Sequence, residues 1–400
     1  MTASKARPKP VLPTLVKRAL VVAFCAAGAC VALGSGIDRA GATDSALAKR
    51  VPAFFAAASL ERRGAGLVQA QRYREALPLA VAMVRAAPIE PVSTALLGAA
   101  RLGAGDAAGA DQAFLVAGHF GWREPITQYY WMQRALQVGD YRVAALRLDA
   151  MLRQQPDLSE NSNLIAPVQA EPAGRDALAK QLLQRPAWLA AFADKAGGLP
   201  ADQLEQRADV FDRLLRDGVV LGCNGSGRLA AALVGAGLPG RGKALWDAQC
   251  GTRRSLIGDA QFARLQAGVA ASPFDWTIVG DGDVSVSLAT AANGGRRLEV
   301  ASTAAFPRKI MTQLAVLEPG RYRLAWTAST DLPISRSPIA AVASCQPDSR
   351  DVLTGTKASR DRYVVEFQVD GSCPARWIGF LILPGSPPVQ FGNLALDKIG

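Results

Sequence analysis

One histidine, His119, serves the whole 400-residue chain. A Ser-His-Asp or Cys-His site would have to use it, and no nucleophile-elbow pattern accompanies it. It ends a helix-patterned stretch beside Phe120 and Trp122, where packing or capping is the expected role. The same scarcity leaves zinc without histidine ligands. Aromatic residues are only 6% of the chain, and no Lys/Arg cluster interleaves with them. A nucleic-acid surface is therefore not expected. Gly222-Cys223-Asn224-Gly225-Ser226-Gly227 superficially resembles a phosphate cradle. It lacks the Gly-x-Gly-x-x-Gly order and a following βαβ pattern, so no nucleotide is expected there. Glu160 with Glu171, or Asp209 with Asp212, offer no geometry for glycoside cleavage. The chain is read as non-catalytic, without a resident cofactor. The one metal held open is a structural calcium at Asp281-Gly282-Asp283, although two aspartates in a turn are ordinary turn residues.

Charge is unevenly placed. The formal net charge is +11. Lys5, Arg7, Lys9, Lys17, Arg18 and Arg39 against Asp38 supply nearly half of it within the first 42 residues. The remainder is spread thinly and reads as solvated surface. The basic stretch ends at Lys17-Arg18 and precedes an uncharged run from Ala19 to Gly36. That length lies between a long signal-peptide core and a short membrane span. Ala40-Gly41-Ala42 fits a cleavage site, and Cys30 after Ala27-Gly28-Ala29 is a poor lipid-attachment site. Signal anchor and cleaved signal both stay open. Either way positive charge remains inside, so residues beyond about 42 lie outside the cytoplasm. For a bacterial cell this means an inner-membrane protein with a periplasmic bulk, or a periplasmic one after cleavage.

The cysteines agree with that compartment. Cys25 and Cys30 sit in the apolar run. Cys223, Cys250, Cys345 and Cys373 remain, and four cysteines allow three connectivities. Pairing within each half gives Cys223–Cys250 and Cys345–Cys373, which is the expected arrangement in an oxidising compartment.

A 34-residue spacing organises the first part of the chain. Ala76, Ala110 and Ala144 keep it twice, Gly64 and Gly98 once, and Trp122 and Pro156 once. Gln71-Arg72-Tyr73, Gly105-Asp106-Ala107 and Gly139-Asp140-Tyr141 fall in equivalent places. Apolar residues recur at three and four, predicting three helical hairpins over 44–156, with the alanines where helices cross closely. These features resemble the tetratricopeptide repeat family. Gly64 and Gly98 match its small position, the three alanines its alanine, Phe114 its following aromatic, and Pro88 and Pro156 its terminal proline. Met132, Ala80 and Leu148 depart from the pattern. The resemblance implies a helical solenoid whose groove holds an envelope protein or peptide.

Residues 156–175, rich in proline and asparagine, read as a linker. Helical stripes resume at Leu178, Leu182 and Leu183, at Trp188, Leu189 and Phe192, and at Leu204, Val210, Phe211 and Leu214 before Gly218. A last degenerate hairpin covers Leu229–Leu233 and Ala244–Trp246. The proposed Cys223–Cys250 bond would clip this end repeat, contributing on the order of 3 kcal/mol in the chain-entropy picture.

Alternation replaces helical periodicity from Ser272-Pro273 onward. Val284–Leu288, Leu298–Val300, Tyr322–Trp326, Val365–Val369, Ile378–Leu383 and Leu394–Leu396 read as strands, and eight or nine strands predict a β-sandwich. The first is expected to include Phe274-Asp275-Trp276 and to pair with the last at one edge. Phe274/Trp276, Leu317–Tyr322 and Phe391–Leu396 resemble a jelly-roll of the carbohydrate-binding-module type. Trp276, Tyr322, Trp326 and Trp377 could stack on sugar rings if exposed, although alternating-strand aromatics are usually core.

The divisions are 1–43 for the basic tail and signal, 44–156 for three repeats, 157–271 for further helices and 272–400 for the sandwich. The architecture is similar to that of bacterial envelope proteins of exopolysaccharide production. It implies an extracytoplasmic scaffold binding a protein partner, or alternatively a glycan-binding module on a helical spacer.

Overall fold

The computed structural model describes residues 14–41, 43–48, 51, 55–160, 162–251, 255–265, 270, 272–280, 282–290, 294–331, 337–349 and 352–400. Lys5, Arg7, Lys9 and Asp281 lie outside that set. Helices form the N-terminal part and two antiparallel sheets the C-terminal part. The chain divides into two compact units, Met1–Val138 and Gly139–Gly400, each taken by itself.

The first unit opens with α1, Thr14–Gly41. Its most apolar 18-residue stretch has a mean hydropathy of 2.2, which suits either a membrane span or a signal sequence. A short α2, Ser45–Ala48, follows. Then come α3 (Ala57–Gln69), α4 (Tyr73–Ala86), α5 (Pro91–Gly103), α6 (Ala107–His119) and α7 (Pro125–Gln137). The starts of α3, α5 and α7 are 34 residues apart, as are those of α4 and α6. The turns carry the same period. Gln71 and Gly105 occupy equivalent positions with φ of 58° and 93°, a left-handed conformation that glycine adopts without strain. Asp106 then caps α6 by accepting a 2.9 Å bond from Gly109 N, satisfying a donor the helix start leaves free.

Close packing explains the small residues. Ala76 and Ala110 are fully buried. A Cβ on Gly98 would lie 2.8 Å from the Phe114 ring, which itself stacks on Tyr130 at 4.0 Å between centroids. Gly64 is looser, 3.4 Å from the Met83 sulfur. At the equivalent place in α7, Met132 is fully buried, so there the larger side chain is part of the core.

The second unit begins with α8, Tyr141–Gln154, capped by Asp140 and burying Ala144 and Leu148. The expected linker at 156–175 is instead structured. A 3-10 turn starting at Pro156 leads into α9 (Ser162–Gln169) and α10 (Pro172–Leu182). Pro172 takes the first helical position, where its missing N–H is no loss. The further helices are α11 (Trp188–Asp194), α12 (Ala201–Arg216), α13 (Gly222–Gly235) and α14 (Pro239–Cys250). Buried Arg207 donates to Phe192 O at 3.0 Å, closing the end of α11, with its guanidinium 4.4 Å from the Phe192 ring centre. Burial pushes its pKa down to about 10. Arg175, Arg213 and Arg241 hold Asp209 and Asp212 in a network joining α10, α12 and α14.

Ten strands follow among the described residues: β1 (Thr277–Ile278), β2 (Val284–Thr290), β3 (Arg296–Ser302), β4 (Arg308–Val316), β5 (Gly320–Ser329), β6 (Ile339–Ser344), β7 (Thr356–Lys357), β8 (Arg362–Val369), β9 (Ala375–Ile382) and β10 (Val389–Lys398). One sheet has the order β1-β4-β9-β6, the other β2-β3-β10-β5-β8-β7. They share one apolar core containing Leu298, Ile310, Trp326, Phe380 and Phe391. The first and last strands do not pair: β1 joins β4, whereas β10 lies between β3 and β5 in the other sheet.

Two departures from the expected boundary follow from burial. The sandwich core starts before Ser272, because Ile257, Phe262 and Leu265 belong to it. Buried Gln313 stitches that segment down. Its Oε1 accepts from Gly258 N at 2.9 Å, and its Nε2 donates to Gly258 O and Phe274 O at 3.0 and 2.7 Å. The α13/α14 hairpin also has a neighbour. Trp246 and Ala230 pack with Phe274 and Leu314, against Val316 and Trp377 of the smaller sheet. The Cys223–Cys250 disulfide, with its Cα atoms 5.0 Å apart, ties the hairpin's ends. Cys345–Cys373 joins the chain after β6 to the chain before β9, at 6.0 Å.

The glycines allow a matched pair of substitutions. Alanine is favoured over glycine inside a helix by about 1 kcal/mol, whereas overpacking costs about 1–3 kcal/mol. Gly66→Ala in α3, with open space around it, is expected to raise the melting temperature of the first unit. Gly98→Ala is expected to lower it, because the Phe114 ring must move. Circular-dichroism melts of the two variants check the opposite signs.

Candidate functional site

The outer faces of the two sheets differ. That of the smaller sheet is apolar at Leu314, Val316 and Trp377 and is covered by α13/α14. That of the six-stranded sheet is polar, because strand alternation sends Ser285, Ser287, Glu299, Gln390 and Arg323 outward while Val300, Val389 and Leu324 point into the core. The larger sheet therefore carries the accessible face.

A cleft of about 350 Å³ opens at one end of this face, lined by Ser285, Ser287, Glu299, Ser329, Asp331 and Gln390 among others. Strand register builds it. Ser287 faces Glu299 across β2 and β3, Glu299 faces Gln390 across β10, and Gln390 faces Ser329 across β5. With strands about 4.8 Å apart, this row of hydroxyl, carboxylate, amide and hydroxyl runs for about 14 Å. Among the described residues, the side chains of Ser285, Ser287, Glu299, Ser329 and Gln390 make no hydrogen bond or ion pair. Among the described residues, the cleft lining contains no lysine or arginine.

The other end of the same face is internally satisfied. Glu366 accepts from Arg321 at 2.8 Å and from Arg323 at 2.7 Å. The hydrogen bond from Arg323, reinforced by Arg321, holds the Glu366 carboxyl below its ordinary value. The side chains of Ser285, Ser287, Glu299, Ser329 and Gln390 in the cleft are thus left to solvent among the described residues.

The aromatic residues expected to touch sugar lie elsewhere. Trp276, Tyr322 and Trp326 are core residues, the last fully buried. Trp326 sits so tightly under Gly355 that a Cβ there would come within 2.5 Å of the indole. Trp377 is half-buried against the α13/α14 layer. None stands on the accessible face, because an inward strand position is the place where these rings lose most contact with water. The cleft itself was missed because its residues are common surface types. Only cross-strand register aligns them.

The remaining candidates resolve as follows. His119 is exposed at the end of α6, its Nδ1 2.7 Å from Leu115 O. The Gly222–Gly227 stretch forms the first turns of α13 and no loop. Asp283 pairs with Arg308 at 2.8 Å. Among the described residues no group of three His, Cys, Asp or Glu side chains is placed to hold a metal ion.

No known family matches this chain, and no curated protein does. Among solved structures, a candidate sugar-binding protein from Bacteroides thetaiotaomicron is 12% identical. It aligns over 36% of this chain and its own full length, with a TM-score of 0.29. The enzymatically active domain of bacteriophage CBA120 tailspike protein 4 is also 12% identical, over 36% of this chain and 21% of its own, with a TM-score of 0.26. Likeness at that level carries neither a fold nor a function over to this chain.

The Arg321–Glu366–Arg323 ladder has a definite pH signature. A carboxyl held below its ordinary value of 4.5 stabilises the fold above that value, and the contribution is lost as pH falls through the lowered one. Glu366→Gln is expected to make unfolding free energy less steeply dependent on pH between about 5 and 3. Urea titrations at several pH values check this.

Proposed function

We propose that this chain is an extracytoplasmic binding protein, anchored by α1, whose six-stranded sheet holds a neutral glycan. The observation that carries the reading is the Ser287–Glu299–Gln390–Ser329 row. It offers unpaired donors and acceptors in a line, as a chain of hydroxyl-bearing rings requires, and the core below keeps the strands rigid. Glu299 and Asp331, with no lysine or arginine among the described residues of the lining, disfavour an anionic polysaccharide by like-charge repulsion. The two disulfides and the N-terminal apolar helix fit an oxidising compartment. The role is binding, not turnover.

The calorimetric test uses neutral oligosaccharides and uronate-containing ones. A neutral series is expected to bind, and Glu299→Ala or Gln390→Ala to weaken it by about threefold to tenfold each, as losing one hydrogen bond does. Unchanged affinity in the Glu299→Ala/Gln390→Ala double variant, or preference for uronates, sinks the reading.

A second reading, a tetratricopeptide-like adaptor, is favoured by Leu102 on α5 and Tyr129 on α7, which are 46% and 43% exposed on helices of the repeating series. Such hairpin arrays commonly present a partner surface. A photo-crosslinker at position 129 is expected to trap one envelope protein in intact cells, and Leu102→Arg to abolish that product. A product that survives Leu102→Arg removes the adaptor role.

A further inference from the structure

The last turns of α1 are part of the folded repeat unit. Gly34, Asp38 and Gly41 are its buried positions, and their spacing of four and three places them on one helix face. The Asp38 carboxylate accepts from Ala58 N at 2.7 Å and Ser59 N at 3.0 Å, capping α3 from outside. Gly34 lies under the Phe55 ring, where a Cβ would come within 2.6 Å. The start of α3 is therefore fixed to the end of α1.

Length sets where that junction falls. The uncharged run Ala19 to Gly36 is about 27 Å long as a helix, close to a hydrocarbon core of about 30 Å, and its Leu20, Phe24 and Leu33 side chains are exposed. Asp38 follows two residues later, about 3 Å further along the axis. The headgroup layer on each side is about 5–7 Å deep. The N-terminus of α3 thus lies at headgroup level.

The hairpin connections place further helix starts on the same edge of the unit as the start of α3. Short turns reverse the chain between successive helices, so α3, α5 and α7 run the same way and begin on one edge. That edge carries the connections at 87–90 and 120–124. Ile89 there is 76% exposed, Phe120 42% and Trp122 47%. On the opposite edge the turns at 70–72 and 104–106 expose nothing apolar larger than alanine, and Val138 at the end of α7 is its one large exposed apolar residue among these turns, at 78%. Tryptophan and phenylalanine beside a membrane span suit the lipid–water interface. Arg123 is exposed next to Trp122 and can extend its charge toward water. Glu124 is turned inward onto Ile126 N and Thr127 N at 3.0 and 2.6 Å, whereas Glu61 and Glu90 remain exposed. The tips of the edge are apolar, and the exposed Arg39, Arg62 and Arg63 stand beside the α1–α3 junction, so the contact is insertion of the tips with positive charge next to them.

We propose that this edge of the repeat unit rests in the headgroup layer of the membrane spanned by α1, with Ile89, Phe120 and Trp122 inserted. The proposal depends on α1 being retained as an anchor.

The test reconstitutes the full chain in nanodiscs of neutral phosphatidylcholine brominated near the headgroup and reads tryptophan emission. Part of the wild-type emission is expected to be quenched by this lipid and to be missing from the difference spectrum of Trp122→Phe. Trp131→Phe is expected to keep it. Trp122 emission that is quenched by aqueous iodide and not by brominated lipid overturns the proposal. The intact mass of membrane-extracted protein separates the two premises. A chain starting near residue 43 removes the anchor and with it the proposal. A full-length chain without shallow quenching removes the inserted edge alone.

Discussion

The packing of the α13/α14 hairpin on the smaller sheet is the constraint on which the second unit depends. An isolated sandwich keeps outward-facing positions polar, because both outer faces meet water. Here Leu314, Val316 and Trp377 are apolar and lie against Trp246 and Ala230. Without the hairpin they would form an exposed apolar patch. With it, the unit becomes three layers, and the disulfide between Cys223 and Cys250 holds the covering layer closed. The consequence for function is direct: one sheet face is structural, and the other is free to carry a cleft.

Within the free face, satisfaction of polar groups divides structure from site. Arg321, Arg323 and Glu366 occupy one another. The serines, Gln390 and Glu299 at the other end have no such partners among the described residues, and the same pleat that buries Val300 and Val389 aligns them. In the first unit the division follows size. Alanine and glycine stand where helices or rings approach closely, as at Ala110 and Gly98, and bulky residues stand in the stripes between.

Much of the helical part was legible beforehand, because a 34-residue spacing records helix, turn and helix together. The left-handed residue at Gly105 and the capping Asp106 belong to that record. Strands with one wet face were legible too, such as β2 and β5, since alternation marks them. β4 and β6 were not. Arg308–Val316 and Ile339–Ser344 are buried on both faces, by the core and by covering chain, so no alternation survives. The segment around Ile257 and Phe262 was missed for a related reason: a few apolar residues without period show nothing until Gln313 and the sandwich end close over them. The linker expected at 156–175 failed because proline marks helix starts as readily as it marks loops.

By itself, the sequence determined the order of classes, helices then strands, the pairing of four cysteines and the apolar N-terminal helix, because each of these rests on local spacing. It also placed Trp326 and Trp377 in strands without showing on which side, whereas Trp276, expected in the first strand, comes just before β1. Tertiary structure decided that Trp276 and Trp326 are core, that the smaller sheet is covered, and that Ser287, Glu299, Gln390 and Ser329 form one row. Those residues lie up to about a hundred positions apart in the chain. Their alignment exists only through hydrogen-bonded register between strands, which no local pattern encodes.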